Sequence, residues 1–379
     1  MKTRRIKTIL LFLSTMPFIG IYAQSIYYVS PHASSGGDGS PATPFHIIHE
    51  AVEKARKDKN CTTIYLREGE YILDTPLVLT SADGNDSKEL IIRNYPGEKA
   101  IISSGITLDL KWEKYKNGIM RAAVKGNPVM DMLIVNGDLR SMARYPDYDK
   151  TAVRFNGTSA LATAPERVKK WKNPEGGYFH AMHSHDWGDF HYRITGKNEK
   201  GELQLEGGWQ NNRPMGIHPE NRMVENIFEE LDAPGEWYYD KQEGWLYYYP
   251  LSDENINELV FETPQLKNLI EIAGTSSHPV KNITIEGIEL TQTIRTFMEH
   301  YEPLLRSDWT IYRGGAVIFR GTEKCTLRDC YIHHVGGNGV FFDKYNRNSA
   351  VTGSYLTSIG ASAICFVGDV AGVRSPSFR

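Results

Sequence analysis

The sequence has 379 residues and a formal net charge of −3, with 43 Lys and Arg against 46 Asp and Glu. This balance argues against a nucleic-acid partner, because such partners require clustered Lys and Arg. The four cysteines are too few for a disulfide framework and match no zinc spacing, so we expect mostly buried free thiols.

Residues 1–23 predict a cleavable secretory signal peptide. A basic start within residues 2–7 precedes a short apolar run, and Ala23 is a suitable cleavage residue that would leave Gln24 first. No later stretch approaches the roughly 20 apolar residues that a membrane span needs. We therefore expect a secreted or periplasmic protein without a membrane span.

Residues 24–108 predict an N-terminal cap and the first coils of a repetitive β fold. A strand at 26–30 precedes a loop rich in Gly, Ser and Pro, and several strand-forming runs follow residue 62. Between them, 45–57 carries apolar residues at helical spacing, which predicts an amphipathic capping helix. Its apolar positions include Phe45, Ile48, Val52 and Ala55.

Residues 109–265 break the repetitive pattern but remain rich in strand-forming residues. Runs at 237–239 and 245–249 flank a Gln-Glu-Gly turn and predict a β-hairpin. We interpret this block as an inserted β-rich module that packs on the side or rim of the repetitive fold.

Residues 266–379 contain a clear internal repeat. The stretch that begins at Cys325 recurs at Ser349, with a constant offset of 24 residues. Apolar residues alternate in short bursts separated by Gly, Asn or Asp, which is typical of strands. Short strands that recur in coils of this length predict an all-β fold, a right-handed parallel β-helix. The matched pairs include Leu327 with Val351, Ile332 with Leu356, Val335 with Ile359, Gly336 with Gly360, Val340 with Ile364 and Phe342 with Phe366.

An earlier copy of the repeat begins near residue 283 and is interrupted after Leu290. The connection at 291–313 is about twenty residues longer than a coil requires and carries charged and aromatic residues. Loops of this length are often functional when they are ordered. The connection could therefore form one wall of a groove, or it could be a solvated loop without a ligand.

Four segments together resemble secreted β-helix glycoside hydrolases of the gut Bacteroidetes type, most closely glycoside hydrolase family 141. They are YYVSPHASSGGDGSPATPF at 27–45, GGYFHAMHSHDWGDFHYRITG at 176–196, GGWQNNRPMGIHPENRMVENIFEELDAPGEWYYD at 207–240, and VGGNGVFF at 335–342. The resemblance implies cleavage of plant-derived polysaccharides, with α-L-fucosidase and xylanase activities known in the family. Family members continue through further coils that carry the catalytic acids. We therefore expect a fragment or truncated form of a longer protein, in which case the catalytic pair could lie beyond residue 379.

Glycoside hydrolysis needs two carboxyl groups that flank the scissile bond. Within the repeat, Asp343 and Asp369 each follow corresponding strands and would lie near one another, possibly one coil apart. They are the candidate catalytic pair, although an Asp after a strand is also an ordinary turn residue. His334 lies in a turn of the same repeat and is a candidate substrate-binding residue.

The stretch 178–196 holds four of the twelve histidines. His183 and His185 have the H-x-H spacing that would place two imidazoles on one strand face, where zinc could bind. No further ligands follow at a suitable spacing, so no metal is expected. His183, His185 and His191 could instead bind sugar hydroxyls, with Trp187 as a stacking face. The remaining alternative is that they are structural.

A second polar and aromatic cluster contains Trp209, Asn211 and Arg213, and the same alternatives apply. Arg213 is the strongest candidate for a carboxylated or hydroxylated sugar, because its guanidinium can bind in bidentate fashion.

The sequence predicts a carbohydrate-active glycoside hydrolase, or an N-terminal fragment of one. It would act on plant-type polysaccharide or oligosaccharide through paired carboxylates. The alternatives are a non-catalytic carbohydrate-binding β-helix protein, a polysaccharide lyase, and an inactive truncated product. We expect a monomer without a cofactor, whose partner is a glycan.

Overall fold

The computed structural model describes residues 24–59, 61–211, 215–303 and 310–369. The predicted signal peptide and Arg213 lie outside the described residues. Within these ranges the protein is built mainly of β-strands, as the sequence predicted, and many of them pair in parallel.

The N-terminal segment supplies the first strands and the longer of two α-helices in the described residues. Four apolar side chains on one face of this helix are buried, which is the pattern expected of an amphipathic helix packed on strands. The helix begins later than predicted, because Phe45 precedes it and forms an isolated bridge with Val29. The elements are β1 (Ser25–Val29), α1 (Ile48–Lys57), β2 (Thr62–Leu66), β3 (Gly69–Ile72), β4 (Leu77–Leu79), β5 (Leu90–Asn94), β6 (Ala100–Ser103) and β7 (Gly105–Thr107).

The middle segment is made of short strands, 3₁₀ turns and a single helical turn. The strands are β8 (Glu113–Lys114), β9 (Met120–Ala123), β10 (Leu133–Val135), β11 (Asp138–Arg140), β12 (Arg144–Tyr145), β13 (Tyr178–His183), β14 (Asp189–Lys197), β15 (Leu203–Gly207), β16 (Ile217–Glu225), β17 (Trp237–Asp240), β18 (Trp245–Tyr248) and β19 (Phe261–Pro264). The helical pieces are Ala160–Thr163, α2 (Pro165–Val168), Phe228–Glu230 and Ile256–Glu258.

The C-terminal segment returns to short strands alone in its described part. They are β20 (Ile270–Ala273), β21 (Val280–Lys281), β22 (Ile283–Glu286), β23 (Glu289–Thr293), β24 (Glu302–Pro303), β25 (Thr310–Ile311), β26 (Val317–Glu323), β27 (Thr326–Arg328), β28 (Tyr331–Val335), β29 (Val340–Arg347), β30 (Ala350–Thr352), β31 (Tyr355–Leu356) and β32 (Ile364–Val367).

Three parallel sheets organise the first and last segments. Their strand orders are β1-β2-β5-β22-β27-β30, β3-β6-β23-β28-β31 and β4-β20-β26-β29-β32. The chain enters the three sheets in a constant rotation. After the middle segment this rotation resumes where it stopped, since β20 pairs with β4 on one side and with β26 on the other.

The register of these sheets confirms the predicted repeat. Leu327 pairs with Val351 and Phe342 with Phe366, at the predicted offset. The ladder extends backwards, because Leu327 also pairs with Ile285. Ile285 and Leu327 are fully buried in the core between the sheets, and burial of each such side chain contributes about 1.5–3 kcal/mol. Three of the predicted free thiols are buried; these are Cys325, Cys330 and Cys365.

Strands β7 to β19 form what we call the antiparallel block, residues 105–264. Its sheets have the orders β11-β10-β19-β7, β12-β16-β13-β14-β15 and β17-β18-β9-β8. The predicted hairpin is confirmed, with Trp237 paired to Tyr248. The block has hydrophobic clusters of its own, one around Trp171 and one around Trp237.

The connection between β23 and β26 lies against the antiparallel block. Trp209 donates its indole N–H to the carbonyl of Glu299 at 2.8 Å, and Gln210 donates to the carbonyl of Phe297 at 2.7 Å. The long connection is therefore attached to the block, and it contributes Arg295 to the cavity described next.

Candidate functional site

A cavity of about 790 Å³ lies between the antiparallel block and the ends of the parallel strands. Its volume falls within the roughly 300–1,000 Å³ typical of small-molecule sites. The block contributes most of the lining. The connection after β23 contributes Arg295, and the parallel sheets contribute the end of β28 and the turns after β28 and β31. The charged and polar lining residues include Asp131, Asp138, Arg140, Arg144, Asp147, Tyr148, Asn156, Glu225, Glu236, Arg295 and His334.

Two glycines of the repeat allow backbone segments to approach each other closely at the edge of the cavity. A Cβ at Gly336 would lie 2.4 Å from the backbone of Ile294 and Arg295, and a Cβ at Gly360 would lie 2.4 Å from the carbonyl oxygen of Gly336. Real side chains do not tolerate such contacts. The sequence repeat thus marks a place where backbone segments pack against each other at the cavity edge.

Arg295 connects two carboxylates in the cavity wall. Its guanidinium donates to Oδ1 of Asp131 through Nε at 3.0 Å and Nη2 at 2.9 Å, and its backbone N–H donates to Oδ2 at 2.8 Å. Its Nη1 donates to Oε1 of Glu225. All three side chains are mostly buried, with 19% of Arg295, 15% of Asp131 and 10% of Glu225 exposed. These charges therefore depend on one another for compensation.

Glu225 is held in its ionised form. It ends β16, between β12 and β13, where its Cα partners are Arg144 and Tyr178. Burial by itself raises the pKa of this carboxyl, but Arg295 and a hydrogen bond with His180 outweigh burial, so its pKa lies well below the ordinary value.

Glu236 has the opposite preference. It lies just before β17, is only 3% exposed, and accepts long hydrogen bonds from the backbone N–H groups of Ala233 at 3.3 Å and Arg144 at 3.4 Å. Burial raises the pKa of Glu236 to about 8, helped by Asp147 and Asp232 and partly offset by the Ala233 N–H. Glu236 is therefore largely protonated at neutral pH.

Arg144 is next to both glutamates. Its backbone N–H faces Glu236, and its Cα partner in the sheet is Glu225. Its buried guanidinium donates to the carbonyls of Pro146, Phe155 and Gly157 at 2.7–3.0 Å. Arg144 thus fixes the loop that brings Asp147, Tyr148 and Asn156 to the cavity.

The structure places the two histidines of the predicted H-x-H site in different surroundings. His183 ends β13 and is fully buried, whereas His185 lies in the following turn and is exposed. The prediction that both imidazoles share one strand face is wrong, because the strand ends at His183. The ring of His183 stacks on Trp187 at 5.8 Å with an interplanar angle of 9°, and Trp187 is 51% exposed.

The other predicted binding residues have mixed positions. His191 is in β14 and contacts His180 instead of lining the cavity. Trp209 is partly exposed beside the connection, and Asn211 donates to the carbonyl of Trp187 at 2.6 Å. His334 does line the cavity, but it lies within β28 and not in a turn as predicted.

The predicted catalytic aspartates lie elsewhere. Asp343 is 2% exposed and forms ion pairs with Arg313 at 2.5 Å and Arg320 at 2.7 Å. Its register partner in the next strand is Val367, so Asp369 does not lie directly beside it. Neither aspartate lines the 790 Å³ cavity.

Sequence reasoning missed Asp131, Glu225 and Glu236 as site residues. Both glutamates belong to the 207–240 segment that carries the family resemblance, but the sequence analysis named neither. One available signal was the placement of Glu225 after Met223 and Val224, which are buried. A carboxylate that continues such a run needs a partner, because burying an unpaired charge is costly.

Among the described residues, no group of three or more His, Cys, Asp or Glu side chains has the geometry to hold a metal ion. No helix in the described part of the chain is long and apolar enough to cross a membrane.

No family model matches this chain. It is 34% identical over 88 residues to the uncharacterised protein YwoF of Bacillus subtilis (strain 168), a match that spans 23% of this chain and 17% of that protein. A solved structure of a glycoside hydrolase superposes with a TM-score of 0.71 at 20% identity, over 87% of this chain and 65% of its own. The chain thus spans less than two thirds of each protein, and the second likeness shows a shared fold. A structure of XylC with xylose gives a TM-score of 0.42 at 14% identity, over 83% of this chain and 41% of its own.

Proposed function

We propose that this protein is a carbohydrate-active glycoside hydrolase, with Glu236 as the general acid and Glu225 as the carboxylate base or nucleophile. The observation that carries the proposal is that one cavity contains two glutamates whose surroundings favour opposite protonation states. Hydrolysis of a glycosidic bond requires such a pair, one carboxyl protonated and one ionised at the working pH.

The proposed roles follow from the surroundings of each group. Glu236 retains a proton at neutral pH and can deliver it to the leaving oxygen. Glu225 stays ionised because Arg295 and His180 compensate its charge, and it can activate water or attack the anomeric carbon. Arg295 and Arg144 hold the two glutamates without entering the reaction.

We further propose that the three parallel sheets are the faces of a right-handed β-helix and that the antiparallel block is an insertion between its coils. The constant rotation of the chain through the sheets supports this, as does the pairing of β20 with β4 across the block. Membership of glycoside hydrolase family 141, action on plant-type glycans and export through residues 1–23 belong to the same proposal. The likeness to a solved glycoside hydrolase is consistent with it.

For substrate binding we propose two regions. His334 would contact sugar within the cavity. Trp187 and His185 are exposed and form an aromatic patch that would stack on a sugar ring farther along the glycan. The buried ring of His183 packs parallel to Trp187 and supports it. Trp209, Asn211 and Arg213 remain candidate residues of this second region, whereas His191 contacts His180 instead.

The deciding experiment is an assay of the purified chain on xylan-type and fucosylated glycans, with reducing-end detection. Glu225→Gln and Glu236→Gln are expected to reduce kcat by at least about 10²-fold, the usual contribution of a general acid or base. Glu243→Gln is the matched control, because this glutamate lies exposed in the β17–β18 turn. Full activity of both cavity variants would reject the proposed pair.

The same assay tests the other hypotheses. Loss of activity in Asp343→Asn and Asp369→Asn, with the glutamate variants active, would favour the aspartates predicted from the repeat. Products that absorb in the ultraviolet would indicate a lyase, because lyases leave an unsaturated sugar. Glycan binding without product release would indicate a binding module.

A further inference from the structure

His180 and His191 form a pair next to Glu225. They are direct partners across β13 and β14, and their Nδ1 atoms are 2.6 Å apart. The Nε2 of His180 lies 3.2 Å from Oε1 of Glu225, and the Nε2 of His191 lies 3.4 Å from Oδ2 of Asp189. The contacts thus run from Asp189, whose side chain is 43% exposed, to a carboxylate that lines the cavity.

The proton positions in this chain of contacts follow from Glu225. Its Oε1 accepts from Arg295, which is always charged, so this carboxylate is ionised and can only accept. His180 must then carry its proton on Nε2. A neutral His180 has a bare Nδ1, and at 2.6 Å this atom requires a donor from His191. The proton between the rings therefore belongs to Nδ1 of His191. A second proton, on Nε2 of His191, would serve the contact with the carboxylate of Asp189, which can only accept.

The pair is enclosed by aromatic rings. The ring centroid of Phe297 lies 5.2 Å from that of each imidazole. The ring centroid of Phe155 lies 6.0 Å from that of His180 and 6.1 Å from that of His191. The ionisable groups that face the pair are Glu225 on β16, Arg295 on the connection, Asp189 on β14 and Tyr178 on β13. Little water can therefore replace a missing hydrogen bond.

We propose that His180 and His191 are positioning residues, which keep Glu225 ionised and oriented through a fixed direction of hydrogen-bond donation from His191 to His180 to Glu225. The proposal rests on the proposed role of Glu225 in hydrolysis. It assigns a purpose to two of the four histidines in the 178–196 stretch, separate from the exposed patch around Trp187.

The arrangement is sensitive to acid. A second proton on His180 would go to Nδ1, where it would face the N–H of His191 and break the contact. Burial lowers the pKa of His180 to about 4, an effect that Glu225 only partly offsets, so the pair is intact at neutral pH. In the absence of His191, Nδ1 is open and His180 takes up a proton at higher pH.

The first test does not depend on activity. Two-bond ¹H–¹⁵N correlation spectra of the ¹⁵N-histidine-labelled chain at pH 7, assigned with His180→Gln and His191→Asn, report which nitrogens carry protons. We expect neutral His180 protonated on Nε2 and His191 protonated on Nδ1. The proposal would be overturned if His180 carried a proton on Nδ1 or if His180 were an imidazolium.

The second test measures the consequence for catalysis. His191→Phe removes the donor and is expected to lower kcat about tenfold, the effect of one hydrogen bond near a charged group, and to move the acid limb of kcat/KM to higher pH. His191→Asn keeps a donor near the Nδ1 position and should restore both values. The control is His278→Asn, at an exposed loop of the parallel sheets. An unchanged kcat and pH profile in His191→Phe would refute the positioning role.

The two tests separate the proposals. If the wild-type chain hydrolyses no glycan, the proposed function fails while the spectra still decide the hydrogen-bond direction. If Glu225→Gln is inactive but His191→Phe is fully active, the function stands and the positioning role is rejected.

Discussion

Replacement of Arg295 by Met tests the electrostatic basis of the candidate site. Methionine preserves much of the apolar length of arginine but removes the charge shared by Asp131 and Glu225. Both carboxylates are at least 85% buried in their side chains, so they would remain as uncompensated buried charges. Breaking a buried ion pair by removal of one partner costs about 3–5 kcal/mol, and we expect a loss in this range for Arg295→Met at pH 7.

The loss should depend on pH with a defined sign. In the wild type the pKa of Glu225 is lowered, so its contribution to stability is present above the unfolded pKa of 4.5 and disappears as the pH falls below it. Without Arg295, burial raises the pKa of this carboxyl, and the variant should become less stable as the pH rises from about 5 to 8. Urea unfolding followed by tryptophan fluorescence at both pH values measures the difference.

The matched control is Arg193→Met, which removes an exposed pair with Glu206 whose closest N–O distance is 3.8 Å. Exposed pairs of this type contribute less than about 1 kcal/mol. The reasoning would be refuted if Arg295→Met and Arg193→Met had the same unfolding midpoint, or if the penalty for Arg295→Met were equal at pH 5 and pH 8.

Three further predictions concern the cavity and the core. Because the pKa of Glu236 is raised from 4.5 to about 8, the free energy of unfolding of the wild type should fall by up to about 5 kcal/mol between these pH values. Glu236→Gln should flatten this dependence of stability on pH, measured by urea titrations. An equal dependence in both proteins would contradict the buried, protonated state. Leu327→Ala should destabilise the fold by about 2–5 kcal/mol, because Leu327 is fully buried. Thr352→Ala, at an exposed position on the next strand of the sheet, should change the free energy of unfolding by less than about 0.5 kcal/mol. Similar unfolding midpoints for the two variants would argue against the buried stack of Ile285 and Leu327. Gly336→Ala should cost about 1–3 kcal/mol and reduce glycan turnover, because its Cβ would displace the backbone of Arg295; a variant with wild-type melting temperature and kcat would show that the approach is not tight.

The candidate site carries a cost in stability that an ordinary core would avoid. Glu236 is buried with only long backbone hydrogen bonds, and its raised pKa means that folding opposes its ionisation. Such strained carboxyls concentrate at functional sites, where a shifted pKa has a use. We therefore expect Glu236→Gln to be more stable than the wild type at pH 8 while it lacks activity, the trade-off expected of a catalytic group.

The sequence alone predicted which strands of the C-terminal repeat stack on one another. Residues at a constant offset of 24, such as Leu327 and Val351, pair as expected, since a repeated strand pattern can bury its apolar face only by stacking on its copies. The hairpin around Trp237 was equally local, because a short turn between two aromatic strands fixes their pairing.

Only the tertiary structure revealed the cavity and the state of its carboxyls. Asp131 and Glu225 meet at Arg295 across 164 and 70 residues of sequence, through an antiparallel block that has no repeat from which to predict the contact. The H-x-H motif likewise had the spacing of a strand, but β13 ends at His183, and the partner of His180 comes from the neighbouring strand. A carboxyl or an imidazole acquires its protonation state from burial and nearby charges, and these depend on which distant segments fold against it.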